Sequence, residues 1–225
     1  MKNEDKIILD LAGGTGAWSK PYKDAGYTVI NVTLPEYDVR NYQPPENVYG
    51  VLAAPPCTMF SDARTRAKSP RNMKSGFEIV KSCLRIIETC QYRIVSDQQK
   101  YSPLKFWCLE NPWYGRLKWF LGNPVYVFDP WEFGDAYKKK TALWGYFNLP
   151  VKTHATISDV MTKEQIEKHK TNSQKLPKFD KPLMPDIKRL KGVNNAPYWK
   201  DKNLRQTLRS ITPEGFAKAF YAANR

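Results

Sequence analysis

The sequence predicts a doubly wound, mostly parallel α/β fold on three observations. An apolar run at residues 7–9 ends in Asp10 and passes into a glycine-rich turn, Gly13-Gly14-Thr15-Gly16, which reads as a strand, a tight turn and a helix start. Further short apolar runs at residues 27–32, 49–53, 106–109, 125–128 and 142–144 alternate with helix-compatible stretches, the pattern of a parallel sheet covered by helices. The 225 residues, 41% hydrophobic and 26% charged, suit one domain with a modest insertion and exclude a disordered chain or a fibre.

The elements follow in order. The strand at residues 49–53 stops at Pro55-Pro56, because proline cannot continue a central ladder. From residue 73 to about 95, Phe77, Val80, Leu84, Ile87, Cys90 and Ile94 recur at helical spacing, predicting one long amphipathic helix with Cys83 and Cys90 as packing residues. Residues 106–109 form a buried strand ending at Glu110. Between residues 150 and 205 the chain turns lysine-rich, carries Pro177, Pro182, Pro185 and Pro197, and shows helical periodicity only at residues 163–170, as in an inserted, loop-rich basic segment. A last helix opens with Thr212 as N-cap and Pro213 at its first position, and runs through Phe216 and Phe220.

No apolar run is long enough to span a bilayer and the charged first residues do not read as a signal peptide, so an intracellular soluble protein is expected. Cys57, Cys83, Cys90 and Cys108 have no CxxC spacing and only two histidines accompany them, which argues reduced thiols and no metal site. Net charge is +14, and it is lopsided: residues 1–112 carry 15 basic and 12 acidic side chains, residues 113–225 carry 21 and 10. A polyanion held mainly by the C-terminal half is the reading this favours, against a merely solvated lysine-rich surface.

Three motifs carry chemistry. The glycine turn lets backbone approach a nucleotide or nucleoside cofactor, but Ser19 replaces the third glycine of the dinucleotide fingerprint, which disfavours a pyrophosphate site. Asp10 could orient this turn, and Trp18 either stacks on a purine or packs in the core. In Ala54-Pro55-Pro56-Cys57 a cysteine follows a rigid stop at the carboxyl edge of the sheet, where ligands bind in such folds and a thiolate would be a strong nucleophile. The next strand delivers Glu110-Asn111-Pro112 to the same edge, where an apolar cleft would raise the carboxyl pKa and suit it to donate a proton or hydrogen bond.

In that order, Asp10-Leu11-Ala12-Gly13-Gly14-Thr15-Gly16, Pro55-Pro56-Cys57 and Glu110-Asn111 resemble the cofactor loop, the PPC motif and the ENV-type motif of the DNA cytosine-5 methyltransferases. Phe133-Gly134 with Lys138-Lys139-Lys140 resembles that family's motif VIII, and residues 209–214, Arg-Ser-Ile-Thr-Pro-Glu, its motif IX. The resemblance covers nearly the whole chain and is similar to the compact bacteriophage-encoded members, whose setting is the bacterial cytoplasm. It implies a Rossmann-like class I methyltransferase core at residues 1–147, a short basic target-recognition lobe at 148–208 and a returning helix at 209–225. It further implies S-adenosylmethionine as cofactor and double-stranded DNA with a flipped cytosine as partner, with a monomer as the simpler default. Cys57 would add to C6 of the base, Glu110 would contact N3, and Lys139 is the candidate for the cytosine carbonyl. Asp10, Leu11, Ala12, Gly14, Gly16, Trp18, Glu36, Asp38 and Pro55 would form the cofactor site. Lys138 and Lys140, with Ser61, Arg64, Arg66, Lys68 and Arg71 from the loop after the nucleophile, would face nucleic acid.

Departures from the pattern are also legible. Thr33-Leu34 stands where the family has an acid for the cofactor ribose, leaving Glu36 or Asp38 as substitutes, and Asp38-Val39 resembles the next motif, which contacts the adenine. Tyr137, Lys139 and Thr141 replace the glutamine and two arginines of motif VIII, Thr58 follows the cysteine where glutamine is common, and the family's last motif has no match after Phe220. The alternatives left open are the same chemistry on RNA or a nucleotide, and a methyltransferase scaffold that has lost turnover and binds DNA.

Overall fold

Apolar residues on both faces of each central strand require helices on both sides of the sheet, and the computed structural model has this arrangement. It describes residues 2–62, 64, 67–95, 98–101, 104–163 and 209–225, with the backbone alone for 93–95 and 98–101. The sheet is built from β1 (Ile7–Leu11), β2 (Thr28–Val32), β3 (Val48–Ala53), β6 (Phe106–Pro112), β7 (Tyr126–Phe128) and β8 (Thr141–Tyr146). Its spatial order is β2-β1-β3-β6-β8-β7. Strands β2, β1, β3 and β6 run parallel, while β8 lies antiparallel to both β6 and β7. The fold is therefore α/β with a six-stranded, mostly parallel sheet, compatible with a Rossmann-like arrangement.

Side-chain alternation sorts the core into two layers. Leu9, Leu11, Val51, Ala53 and Leu109 face α2 (Met73–Gln91), which buries Val80, Cys83, Ile86, Ile87 and Cys90 against them. On the opposite face, Ile8, Leu52, Phe106 and Cys108 meet Tyr22 of α1 (Lys20–Asp24) and Phe216, Ala217 and Phe220 of α4 (Glu214–Ala223). Burial pushes the Cys83 and Cys90 thiols up to about 12, in keeping with packing roles.

Several boundaries differ from the sequence expectation, β8 for instance running Thr141–Tyr146 instead of 142–144, and three of the differences bear on the site and its supports. The long helix ends at Gln91, and the chain turns into a small antiparallel pair, β4 (Tyr92–Val95) and β5 (Gln98–Tyr101). Ile94 stands at helical spacing from Cys90, yet Tyr92 already has an extended backbone. Strand β6 runs past Leu109 to Pro112, because β8 pairs alongside it through Asn111↔Ala142 and Pro112↔Thr141. Thr212 does not cap the last helix, which begins at Glu214; the carboxylate of Asp135 instead accepts from the Gly215 amide at 2.9 Å. That contact satisfies one of the first-turn donors that a helix start leaves unpaired. The expected helix at residues 163–170 lies, but for Lys163, outside the described residues, as does most of the basic segment. Among the described residues no helix is long and apolar enough to cross a membrane, and no group of three His, Cys, Asp or Glu side chains is placed to hold a metal.

Gly215 is the tightest point of this closure, since a Cβ there would sit 1.9 Å from the Phe133 carbonyl oxygen. Gly215→Ala is expected to lower stability by about 2 kcal/mol, as overpacking against rigid backbone does, read as a lower midpoint in urea unfolding.

Candidate active site

The parallel register aligns three strand ends. Leu11 of β1 pairs with Ala53 of β3, and Ala53 pairs with Leu109 of β6. Ala12 and Ala54 therefore leave the sheet along one edge, beside Glu110, which lies beyond the last β3 partner of β6 and is still paired with Leu143 of β8. Because β8 runs the other way, its leading residues Lys139 and Lys140 arrive at that same edge.

After β1 the backbone alternates in hand: φ is +54° at Ala12, +55° at Gly14 and +69° at Gly16, whereas Gly13 and Thr15 stay out of the left-handed region. Such alternation turns successive amides toward one side and makes a concavity for an anion. Among the described residues the amides of Gly13, Gly14 and Thr15 carry no hydrogen bond, and the space where a Gly14 side chain would stand is open. Gly13 has the opposite surroundings, since its Cβ would meet the Asp10 carboxyl at 2.3 Å and Asn31 Oδ1 at 2.6 Å. Asp10 is fully buried, accepts from Ser19 Oγ at 2.6 Å, and has its pKa pushed up to about 6 by burial. Asn31, paired with Asp10 across β1 and β2, donates to the Gly14 carbonyl at 3.0 Å.

After β3, Pro55 is buried and Cys57 opens a 3-10 turn, Cys57–Met59, whose carbonyl accepts from Phe60 and Ser61. Asn111, fully buried on β6, donates Nδ2 to the Pro55 carbonyl at 2.9 Å. This bond couples the two strand ends that carry Cys57 and Glu110. Lys139 Nζ lies 3.8 Å from Glu110 Oε1, both side chains being mostly shielded from water. Thr141 holds the approach to β8 by donating to the Lys139 carbonyl at 2.7 Å. Burial raises the Cys57 thiol above its ordinary pKa and the Glu110 carboxylate raises it further, against smaller lowering effects of Lys139 and Arg209. The thiol is thus protonated at neutral pH and needs a base to become a nucleophile. Tyr137, buried and raised chiefly by desolvation, also feels Glu110.

The remaining expected residues divide. Leu11 packs its side chain in the core, so only its backbone is at the edge. Trp18 is a correction: it is 2% exposed, with Phe216 and Phe220 centroids at 5.9 and 5.4 Å, so its ring is core and not a stacking face. Glu36 is exposed, whereas the Asp38 carboxylate is engaged by the Arg40 guanidinium and amide, which lowers its pKa. Arg71 is half-buried, and its guanidinium donates to the Met59 and Ser61 carbonyls at 2.9 Å, bracing the loop after Cys57. Arg64 donates to Ser69 Oγ at 2.9 Å within the same loop, Ser61 is half-buried, and Lys68 is exposed. Arg66 lies outside the described residues. Lys140 is exposed and Lys138 half-buried beside Lys139. Sequence reasoning missed Asn31, the bond made by Asn111, and the proximity of Arg209 to Cys57; only the positions of Asn31 and Asn111 at strand ends could have signalled them.

Neither a scan of protein-family models nor a search of curated proteins finds a match to this chain.

The charges around the thiol predict its reactivity. In Glu110→Gln the loss of negative charge lowers the Cys57 pKa, so iodoacetamide labelling at neutral pH, located by peptide mass, is expected to speed up several-fold. Lys139→Met is expected to slow it. Opposite signs would contradict the placement of these groups around the sulfur.

Proposed function

We propose that the protein is a DNA cytosine-5 methyltransferase that uses S-adenosylmethionine. The observation that carries this reading is the meeting of Cys57, Glu110 and Lys139 at the sheet edge that also bears the glycine loop. An anion-accepting concavity with three unpaired amides and open space at Gly14 fits the carboxylate end of an amino-acid-derived cofactor. The backbone of residues 12–15 would hold that end, with Asp10, Ser19 and Asn31 bracing the loop from beneath. When bound, S-adenosylmethionine supplies an electrophilic methyl group.

The chain's own residues do the rest. Cys57 gives its thiol proton to solvent water and forms a bond from Sγ to C6 of the cytosine. Glu110, within the same cleft, hydrogen-bonds N3 and favours its protonation, while Lys139 donates to the ring carbonyl. Electron density pushed into the ring makes C5 nucleophilic. After C5 is alkylated, water takes the C5 proton, N3 returns its proton to Glu110, and Sγ leaves C6 with its bonding pair, which restores aromaticity. The target base must leave the stack to reach such a cleft, at a cost of roughly a few kcal/mol. Basic residues, among them Lys138 and Lys140, offset this through phosphate contacts.

A second reading, a methyltransferase scaffold that binds DNA without turnover, is favoured by one observation: Asp38, a substitute for the missing ribose acid, is already paired with Arg40.

Duplex DNA incubated with methyl-labelled S-adenosylmethionine and digested to nucleosides is expected to carry label on 5-methylcytosine. Cys57→Ala is expected to abolish it with DNA affinity retained, and Glu110→Gln to reduce it by about 10²- to 10⁴-fold, the usual weight of acid–base assistance. Absence of label with DNA binding intact would favour the scaffold reading.

A further inference from the structure

Residues 113–120 follow β6 directly and form an exposed aromatic and basic ledge. Tyr114 is 62% and Trp119 69% exposed, although both are large rings that folding usually covers. The ledge is anchored by Leu117, which is buried, and by Phe120 of α3 (Lys118–Leu121), which is itself 56% exposed but meets Phe77 at 4.4 Å. It is also continuous with the loop after Cys57. The Asp62 amide donates to the Tyr114 carbonyl and the Arg116 amide to the Phe60 carbonyl, each at 3.0 Å, and Ser61 bridges to Gly115. Gly115 permits this approach, since a Cβ there would be 3.2 Å from the Phe60 and Pro112 carbonyl oxygens.

Cations are interleaved with the rings. Lys118 Nζ lies 4.1 Å from the Trp113 centroid and the Arg116 guanidinium 5.7 Å from that of Trp119. One acid, Asp62, stands near Arg116 at 3.8 Å. A partner surface of aliphatic groups would call for a continuous apolar patch; alternating flat rings and cations match a ligand that alternates planar bases with phosphates.

We propose that this ledge is a stacking platform for a nucleic-acid strand where it passes the cleft, with Tyr114 and Trp119 taking bases and Arg116 and Lys118 taking phosphates. The proposal rests on the reading of the cleft as a polynucleotide site. Its test measures binding of a single-stranded DNA oligonucleotide of mixed sequence to the full chain carrying Cys57→Ala, so that turnover plays no part. Adding Trp119→Ala is expected to weaken binding on the order of ten-fold, the usual effect of removing one stacked ring. Trp119→Phe is expected to restore most of the affinity, and the thermal midpoint of both variants to stay at the parent value. Unchanged affinity, affinity lost only together with a lower midpoint, or no binding by the parent chain would each overturn the platform. If the wild-type chain methylates no cytosine while Trp119→Ala still weakens binding, the platform stands and the proposed reaction falls. If methylation proceeds and Trp119→Ala alters no affinity, the reaction stands and the platform falls.

Discussion

The hydrogen bond from the Asn111 side chain to the Pro55 carbonyl is the contact on which the cleft depends. Parallel pairing of β3 and β6 ends at Ala53 and Leu109; beyond it β3 passes into a loop with no ladder to hold it, while β6 continues against β8. The fully buried Asn111 amide ties that loop to β6 and so holds the turn of Cys57 beside the strand that carries Glu110. Removing one partner of a buried hydrogen bond typically costs about 1 to 3 kcal/mol. Here the same loss would also release the turn that carries the thiol.

Around that contact the sheet's one reversal matters most. An all-parallel sheet would send the leading end of β8 to the opposite edge; its antiparallel course brings Lys139 to face Glu110. The aromatic face behind the sheet secures the chain's return. Asn148 and Asn224 exchange hydrogen bonds of 2.7 and 2.9 Å, and Asp135 holds Gly215 at 2.9 Å, so both stems of the long basic segment are tied to the core. Arg209 is thereby kept close enough to Cys57 to lower its pKa. On the proposed reading, one compact sheet thus positions nucleophile, carboxyl group and cation, and hands the polyanion to loops on its rim.

Much of this was legible in residue order. Short apolar runs marked β1, β3 and β6 because strands buried on both faces have no polar alternation to hide them, and the paired prolines marked the stop before Cys57. The end of α2 was not legible, since Ile94 keeps helical spacing from Cys90 while the backbone has already turned extended at Tyr92. Trp18 carried ligand-binding chemistry in isolation; its place in the core is fixed by Phe216 and Phe220, about 200 positions away, just as the carbonyls that Arg71 braces come from a loop ten or more positions before it. Asp38 is paired with a neighbour two positions on, Arg40, a pairing that the sequence permits without requiring. Asn31 and Asn111 act through cross-strand geometry, which appears only once the register is known.

The central claim is a covalent bond between Cys57 and a pyrimidine ring, and trapping that bond tests it most directly. On the proposed reading, a duplex carrying 5-fluorocytosine would not be released after methylation, because fluorine does not leave C5 as a proton does. Incubated with this duplex and S-adenosylmethionine, the protein is expected to gain the mass of one oligonucleotide strand plus a methyl group, and peptide mapping to place the adduct on Cys57. An adduct on another residue, or none under conditions where the duplex is bound, would contradict the account.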